Sequence, residues 1–536
     1  MNFVKENFSE QEEAILNQYF TNIDKPVFGL INLPDVVKGA LFARYSRSNK
    51  SLRRLFLDEF YDNTIDQVKN IDINQGTNRA SSLYDKMILD FGDDSVAQLG
   101  GAHIACEQVS NLLTKILEKG RIASYLEQST RYVYYNEKSE GKYNYSIPLE
   151  IRATELESEY CQYVDSLFDT YSEILNELSP ALKVKYPKQA NQSDRAWEAT
   201  IRAKSCDILR GLLPAATKSN MGIYASGQSY EYLLIKMYAS RNSEVLQFAD
   251  MILEELRKII PSFLTRVDLE DRGRLWSRYI QDINQNLSVR ADDIFHTTPN
   301  NALPSREINE TSLISWNINA LDCVVEAILF ESSQQSQKNI STVIGEMPDI
   351  DKVSIINDYC GNRLNRRHKP GRAFEAVSYK FEILSDYGAF RDLQRHRMLT
   401  IQWQKLSPHN GYIMPIELKE FPKLEYKYEK AIIAAKNIYE KIERNVNSDI
   451  AQYVVPFAYR LRYDITMNLR EAFHFIELRS QKQGHHSYRK ISIDMYNAIS
   501  NLEGHSCFTD NMQFVDRNDY ELSREDAENK KDNKQV

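Results

Sequence analysis

Residues 392–407 read DLQRHRMLTIQWQKLS and residues 119–132 read KGRIASYLEQSTRY, two incomplete versions of one pattern. Arg395-His396-Arg397 in the later stretch answers to Lys119-Gly120-Arg121 in the earlier one. Eight residues beyond Arg121 stands Ser129, followed by Arg131 and Tyr132, whereas eight beyond Arg397 stands Lys405. One stretch keeps the basic triplet and the other keeps Ser-x-Arg-Tyr.

The surroundings repeat as well. Ahead of the triplet, Val377, Tyr379, Phe381 and Ile383 alternate with Ser378, Lys380 and Glu382, which predicts a half-buried strand. It runs into 386–397, read as a helix with the triplet at its C-terminal end. In the first half 102–108 leads into 110–121 in the same order, with Leu112, Leu113, Ile116 and Leu117 at helical spacing. Further on, Arg210-Gly-Leu-Leu-Pro214 corresponds to Gln452-Tyr-Val-Val-Pro456, and a long helix is expected after each. In the later one Leu469, Ala472, Phe473 and Ile476 form an apolar stripe, leaving Arg470 and His474 one turn apart on another face. Asn468, Arg470 and Arg479 lie 12, 14 and 23 residues after Pro456, and the same steps from Pro214 reach Ser226, Gln228 and Met237. Here the polar set survives only in the second half.

With 536 residues, 42% of them hydrophobic, the chain has material for two or more cores. A net charge of −8 without a long Lys/Arg run argues against general affinity for nucleic acid or anionic membrane. The N-terminal MNFVKENFSEQEE lacks the apolar centre of a signal peptide, and no stretch has the apolar length to span a bilayer; a cytoplasmic location is expected. Six scattered cysteines without a C-x-x-C pair suit reduced thiols and argue against a structural zinc site. Neither G-x-G-x-x-G nor a P-loop is present, so any nucleotide is held by other means. Segment 281–306 loses apolar periodicity and carries Pro299 and Pro304, which places a boundary there. This gives a first copy at 1–290, a second at 291–520 and a polar, disordered tail at 521–536.

Together, RHR at 395–397, EQSTRY at 127–132, RGLLP at 210–214 and NLREAFHFIELR at 468–479 resemble the flavin-dependent thymidylate synthases, present twice in one chain. The resemblance implies an α+β fold of two tandem domains, each a twisted sheet with long packed helices. It implies FAD as cofactor, NADPH and methylene-tetrahydrofolate as co-substrates, and conversion of dUMP to dTMP. Carried over, the nucleotide half-site is Glu127, Ser129, Arg131 and Arg210. The flavin half-site is Arg395, His396, Arg397, Glu375, Asn468, Arg470 and His474, with His368 as a further match, and Arg479 faces the uracil. Phosphate favours guanidinium and hydroxyl donors, and flavin supplies the hydride chemistry. Departures are Asp392 at the place of a glutamine, Thr400 and Lys405 at serines, and Ser407 at an arginine. His103, His485 and His486 read as structural. The family's tetramer becomes, with two copies per chain, a homodimer with one composite site per chain. Two other readings stay open: a non-catalytic flavin- or nucleotide-binding paralogue, and a related flavin- and folate-dependent uracil methylation.

Overall fold

The computed structural model describes residues 6–45, 48, 50–61, 98–152, 154–190, 192–297 and 310–532. Mixed helix and antiparallel sheet make it an α+β fold, divided into two units. The smaller unit comprises Met1–Glu107, Ile122–Leu126 and Asn220–Leu303. Its sheet uses β1 (Gly101–Ser110), β2 (Ala123–Glu127) and β3 (Lys218–Ser226) in the order β1-β3-β2. Helices Gly227–Tyr238, Ser243–Arg257 and Gly273–Thr297 belong to it, and near the N-terminus Leu16, Phe20, Leu41 and Phe56 form a separate apolar cluster.

The larger unit comprises Gln108–Arg121, Glu127–Ser219 and Pro304–Val536. Its sheet uses β4 (Thr311–Trp316), β5 (Ser378–Asp386), β6 (Thr400–Trp403) and β7 (Arg460–Asn468), ordered β4-β5-β7-β6 and antiparallel at each pairing. Tyr379, Phe381 and Ile383 point into the core from β5, as their alternation predicts. Leu461, Tyr463, Ile465 and Met467 do the same from β7. Helices Glu157–Lys185 and Pro422–Asn445 pack on each other, and Val164, Tyr171, Ile432 and Ile442 are among their buried residues.

Elements recur in the same order in the two halves. Helices Asn111–Leu117 and Tyr387–Leu393 have seven residues each, both capped by the last residue of the preceding strand: Ser110 Oγ accepts from Leu113 N, and Asp386 Oδ1 from Ala389 N. Strands β3 and β7 have nine residues each and lead to helices capped by Ser226 and Asn468. Where the two -Pro turns meet, Pro214 and Pro456 form an antiparallel bridge. Ala215 N donates to Val455 O and Phe457 N to Leu213 O, both at 2.9 Å; Ala216 N donates to Tyr453 O at 2.9 Å and Ala458 N to Gly211 O at 3.0 Å. Exchanging the two segments leaves this pattern unchanged, the signature of a local two-fold axis.

The structure departs from the sequence expectations at five points. The helix before the triplet ends at Leu393, and Arg395-His396-Arg397 follows in a turn, because Gln394 caps the helix and its Nε2 donates to Lys115 O at 2.7 Å. The segments after Pro214 and Pro456 are strands first and helices only from Gly227 and Leu469, since their alternating apolar residues pair into sheets. Part of the stretch read as a boundary lies within helix Gly273–Thr297, whose exposed polar residues tolerate helix without a buried stripe; 298–309 lies outside the described residues. The tail contains helix Glu525–Asp532, which packs on helix Asp194–Leu209 and is held by polar contacts from neighbouring segments that hydropathy does not reveal, Lys482 Nζ to Asp526 at 2.6 Å and Gln189 Nε2 to Glu525 at 3.1 Å. The units cut across the 1–290 and 291–520 division, because 108–121 and 127–219 join 304–536.

Candidate functional site

Within the larger unit the two motif stretches meet at one small cavity. Ser129, Arg131 and Arg210 line it from the first half, and Arg391, Asp392 and Arg395 from the second. Its volume is about 40 Å³, room for more than one water or a compact oxyanion but not for a nucleoside. Arg210 lies in the turn Arg210–Leu212 and passes over Gly388; a Cβ there would sit 3.0 Å from its Nε and 3.1 Å from its Cζ. Its Nη1 donates to Asp392 Oδ2 at 3.4 Å, and its Nη2, 3.5 Å from Asp386 Oδ1, is buried without a hydrogen bond. Asp392 also accepts from Arg395 Nη2 at 2.5 Å. Against burial, which works the other way, Arg395, Arg210 and Arg479 hold the Asp392 carboxyl well below the usual carboxylate range.

The remaining charges here are compensated internally. Arg131 forms a fork on Asp207, at 2.5 and 2.7 Å, and its Nη1 donates to Gln483 O and Tyr488 Oη. Its backbone N–H donates to Ser129 Oγ at 3.3 Å. Glu127 is buried, accepting from Arg391 at 2.7 Å and from Lys115 at 3.1 Å. Burial raises its pKa, but Arg391, Lys115 and Arg395 outweigh it and keep the carboxylate ionised.

Next to the cavity, His396 joins two other groups. Arg479 Nε donates to His396 Nε2 at 2.8 Å, and His396 Nδ1 lies 2.9 Å from Glu471 Oε1. An accepting Nε2 leaves the ring proton on Nδ1, so His396 donates to Glu471. His474 Nδ1 reaches the same carboxylate at 3.3 Å. Burial pulls the His396 pKa down to about 4. Glu471, pushed up by burial, is brought down to about 2 chiefly by its bonds from His396 and His474. The ligand atoms of His396, Glu471 and His474 fall within 4.8 Å of one another, close enough for a metal ion. A metal on Nδ1 would move the ring proton to Nε2, against the N–H of Arg479. The arrangement is a hydrogen-bond relay that orients Arg479.

Residues 40–262 and 313–502 match the family described as thymidylate synthase complementing protein. The chain belongs to the flavin-dependent thymidylate synthase family. It is 36% identical to a UPF0159 protein of Chlamydia muridarum over 97% of both chains. It is 33% identical to one of Thermoplasma acidophilum, over 92% of this chain and 98% of the relative. Against a flavin-dependent thymidylate synthase of Thermococcus onnurineus identity is 28%, over 21% of this chain and 49% of the relative.

Family membership gives the other motif residues a context. Asn468 caps helix Leu469–Arg479, its Oδ1 accepting from Glu471 N at 2.8 Å. Arg470 is partly exposed, its Nε donating to Pro370 O at 2.9 Å and its Nη1 3.6 Å from Glu375. Glu375 also accepts from Arg372. His368 is exposed and held by Asn365 at 3.0 Å, and Arg397 is exposed. Thus Glu375, Arg470 and Asn468 share one helix end, while Arg395 lines the cavity and His396 is buried against Glu471 and Arg479. At the counterpart positions, Lys405 pairs with Asp449 at 2.8 Å and Gln452 accepts from Leu406 N, while Arg121 donates to Thr400. Motif spacing does not reveal Arg391, Asp207, Lys115 or Gly388. Glu471 had a local signal, since Asn468-x-x-Glu471 has capping-box spacing, although its carboxylate serves His396 instead.

Proposed function

We propose that this chain is an FAD-dependent thymidylate synthase that converts dUMP to dTMP, using methylene-tetrahydrofolate and NADPH, in a composite site built by two tandem repeats. The observation that carries this reading is the cavity in which Ser129, Arg131 and Arg210 of one half face Asp392 and Arg395 of the other. The two-segment family match, the matched strand–helix pairs and the symmetric Pro214–Pro456 seam support the repeats. Ser129 and Arg210 would receive the dUMP phosphate; Arg131, held by Asp207, frames that pocket. The base would extend toward Arg479, whose guanidinium stabilises negative charge developing on the pyrimidine.

The residues present suit FAD. Exposed Arg397, and Arg470, partly exposed in the first turn of the Asn468-capped helix Leu469–Arg479, are cationic donors suited to a diphosphate. Glu375 and His474 complete the group, and His368 is proposed to close it. When bound, the flavin supplies the hydride transfer. The protein orients the two ligands against each other and holds Arg479 through His396.

The test is a single-turnover assay for dTMP with dUMP, methylene-tetrahydrofolate and chemically reduced flavin-loaded protein. Product within one turnover is expected. Binding of FAD and dUMP with no dTMP would replace this reading with a non-catalytic binding role, and a methylated product from another uracil compound only would redirect the substrate.

A further inference from the structure

A dianionic phosphate meets an unusual wall here. Asp392 stands on the cavity surface with its side chain 17% exposed. One carboxylate oxygen is tightly held by Arg395, whereas the other has only the long 3.4 Å contact from Arg210. Beside it, Arg210 Nη2 is buried without a hydrogen bond, held only at ion-pair distance, 3.5 Å, from Asp386 Oδ1; such a donor has capacity left for a ligand oxygen. The charged groups around Asp392 are Arg391 and Arg395 on its own segment, Arg210 and Asp386 at the Gly388 crossing, Arg131 and Glu127 on the first-half stretch, and Arg479 on helix Leu469–Arg479. A ligand between Arg210 Nη2 and Asp392 therefore meets a donor on one side and an ionised acceptor on the other. A fully ionised oxyanion satisfies the first and is repelled by the second. A hydrogen phosphate satisfies both.

We propose that Asp392 is the specificity residue of this cavity: its carboxylate accepts a hydrogen bond from a protonated phosphate oxygen, so the site takes the monoanionic form of a phosphate monoester and rejects sulfate. The inference rests on reading the cavity as the phosphate subsite of the proposed synthase. The proton stays on the phosphate, and no bond is made or broken.

Calorimetric titration of the full-length protein with inorganic phosphate, sulfate, dUMP and deoxyuridine between pH 6 and 8 tests it. A phosphate monoester loses its second proton near pH 6, so dUMP affinity should fall about tenfold from pH 7 to pH 8, and inorganic phosphate, which holds that proton about one pH unit higher, should fall several-fold. Sulfate should bind at least tenfold more weakly than phosphate at pH 6, and deoxyuridine more weakly than dUMP. In Asp392→Asn the pH slope should vanish and sulfate should compete. Equal phosphate and sulfate affinity in the unaltered protein, affinity constant from pH 7 to 8, or deoxyuridine binding as tightly as dUMP would each overturn the proposal. The two readings fail separately. Phosphate that binds with the expected slope while dUMP binds no better would sink the synthase reading alone. Turnover of dUMP without slope or sulfate rejection would sink only the role of Asp392, and binding of neither phosphate nor dUMP would end both.

Discussion

Gly388 and Arg210 share a space that allows no extra carbon. A Cβ at Gly388 would approach Asp386 Oδ1 at 2.9 Å and the Arg210 guanidinium at 3.0 to 3.1 Å. Gly388→Ala gains up to ~1 kcal/mol in helix propensity, yet it should weaken dUMP binding about tenfold by displacing Arg210; titration calorimetry reads this, and unchanged affinity would show that Arg210 yields without consequence. Arg131 and Asp207 make a contrasting pair. Removing one member of a buried ion pair costs roughly 3–5 kcal/mol, so Asp207→Asn should lower the melting temperature clearly. Ser129→Ala should leave it almost unchanged while reducing dUMP affinity, and a large drop in stability there would contradict a ligand-directed hydroxyl. Ser129, Arg131 and Arg210 were legible from motif spacing. Asp207 was not, because it pairs with Arg131 across 76 residues and local spacing carries no trace of that contact.

Helix Leu469–Arg479 combines a buried apolar stripe with the relay. Leu469, Ala472, Phe473 and Ile476 are all fully buried, as the sequence periodicity indicates. The same periodicity logic would have identified β7, whose Leu, Tyr, Ile and Met alternate, had the proline turn not been taken as the start of a helix. The relay itself depends on His396, brought back to the helix by a turn, and was not legible. Its pH behaviour follows from burial. His396 titrates near 4 in the folded chain against an ordinary value of 6.5, so below pH 6.5 the unfolded chain takes up the proton more readily than the folded one. Stability is therefore full above pH 6.5 and falls as pH drops toward 4, by roughly 3 kcal/mol from this group. Glu471, lowered to about 2, adds a loss in the same direction from pH 4.5 downward. Denaturant melts of the unaltered protein and His396→Gln should show a flatter profile between pH 6.5 and 4.5 for the variant. Identical slopes would place the acid sensitivity elsewhere.

At the scale of the molecule, the division of motifs sets a stoichiometry. Lys405 and Gln452 stand where the first half has Ser129 and Arg210, and Gln228 stands where the later helix has Arg470. One FAD and one dUMP per chain are therefore expected, in a homodimer; light scattering with flavin absorbance checks both, and two flavins per chain would overturn the composite site. Helix Glu525–Asp532, packed on the helix that carries Asp207, should make truncation after residue 520 destabilising. An unchanged melting temperature would show that the segment adds nothing.

The Pro214–Pro456 seam has a consequence for how the polypeptide can be divided. Its four backbone bonds link two segments of nearly the same conformation, so each edge presents the donors and acceptors that its own twin would need. A chain opened between residues 298 and 309 should thus yield two polypeptides that find each other when produced together, the covalent connection being replaceable by mutual recognition. Either piece made alone would carry a self-complementary edge and should associate with itself. Affinity purification of one tagged piece reads both outcomes: co-recovery of its untagged counterpart, and self-association when the counterpart is missing.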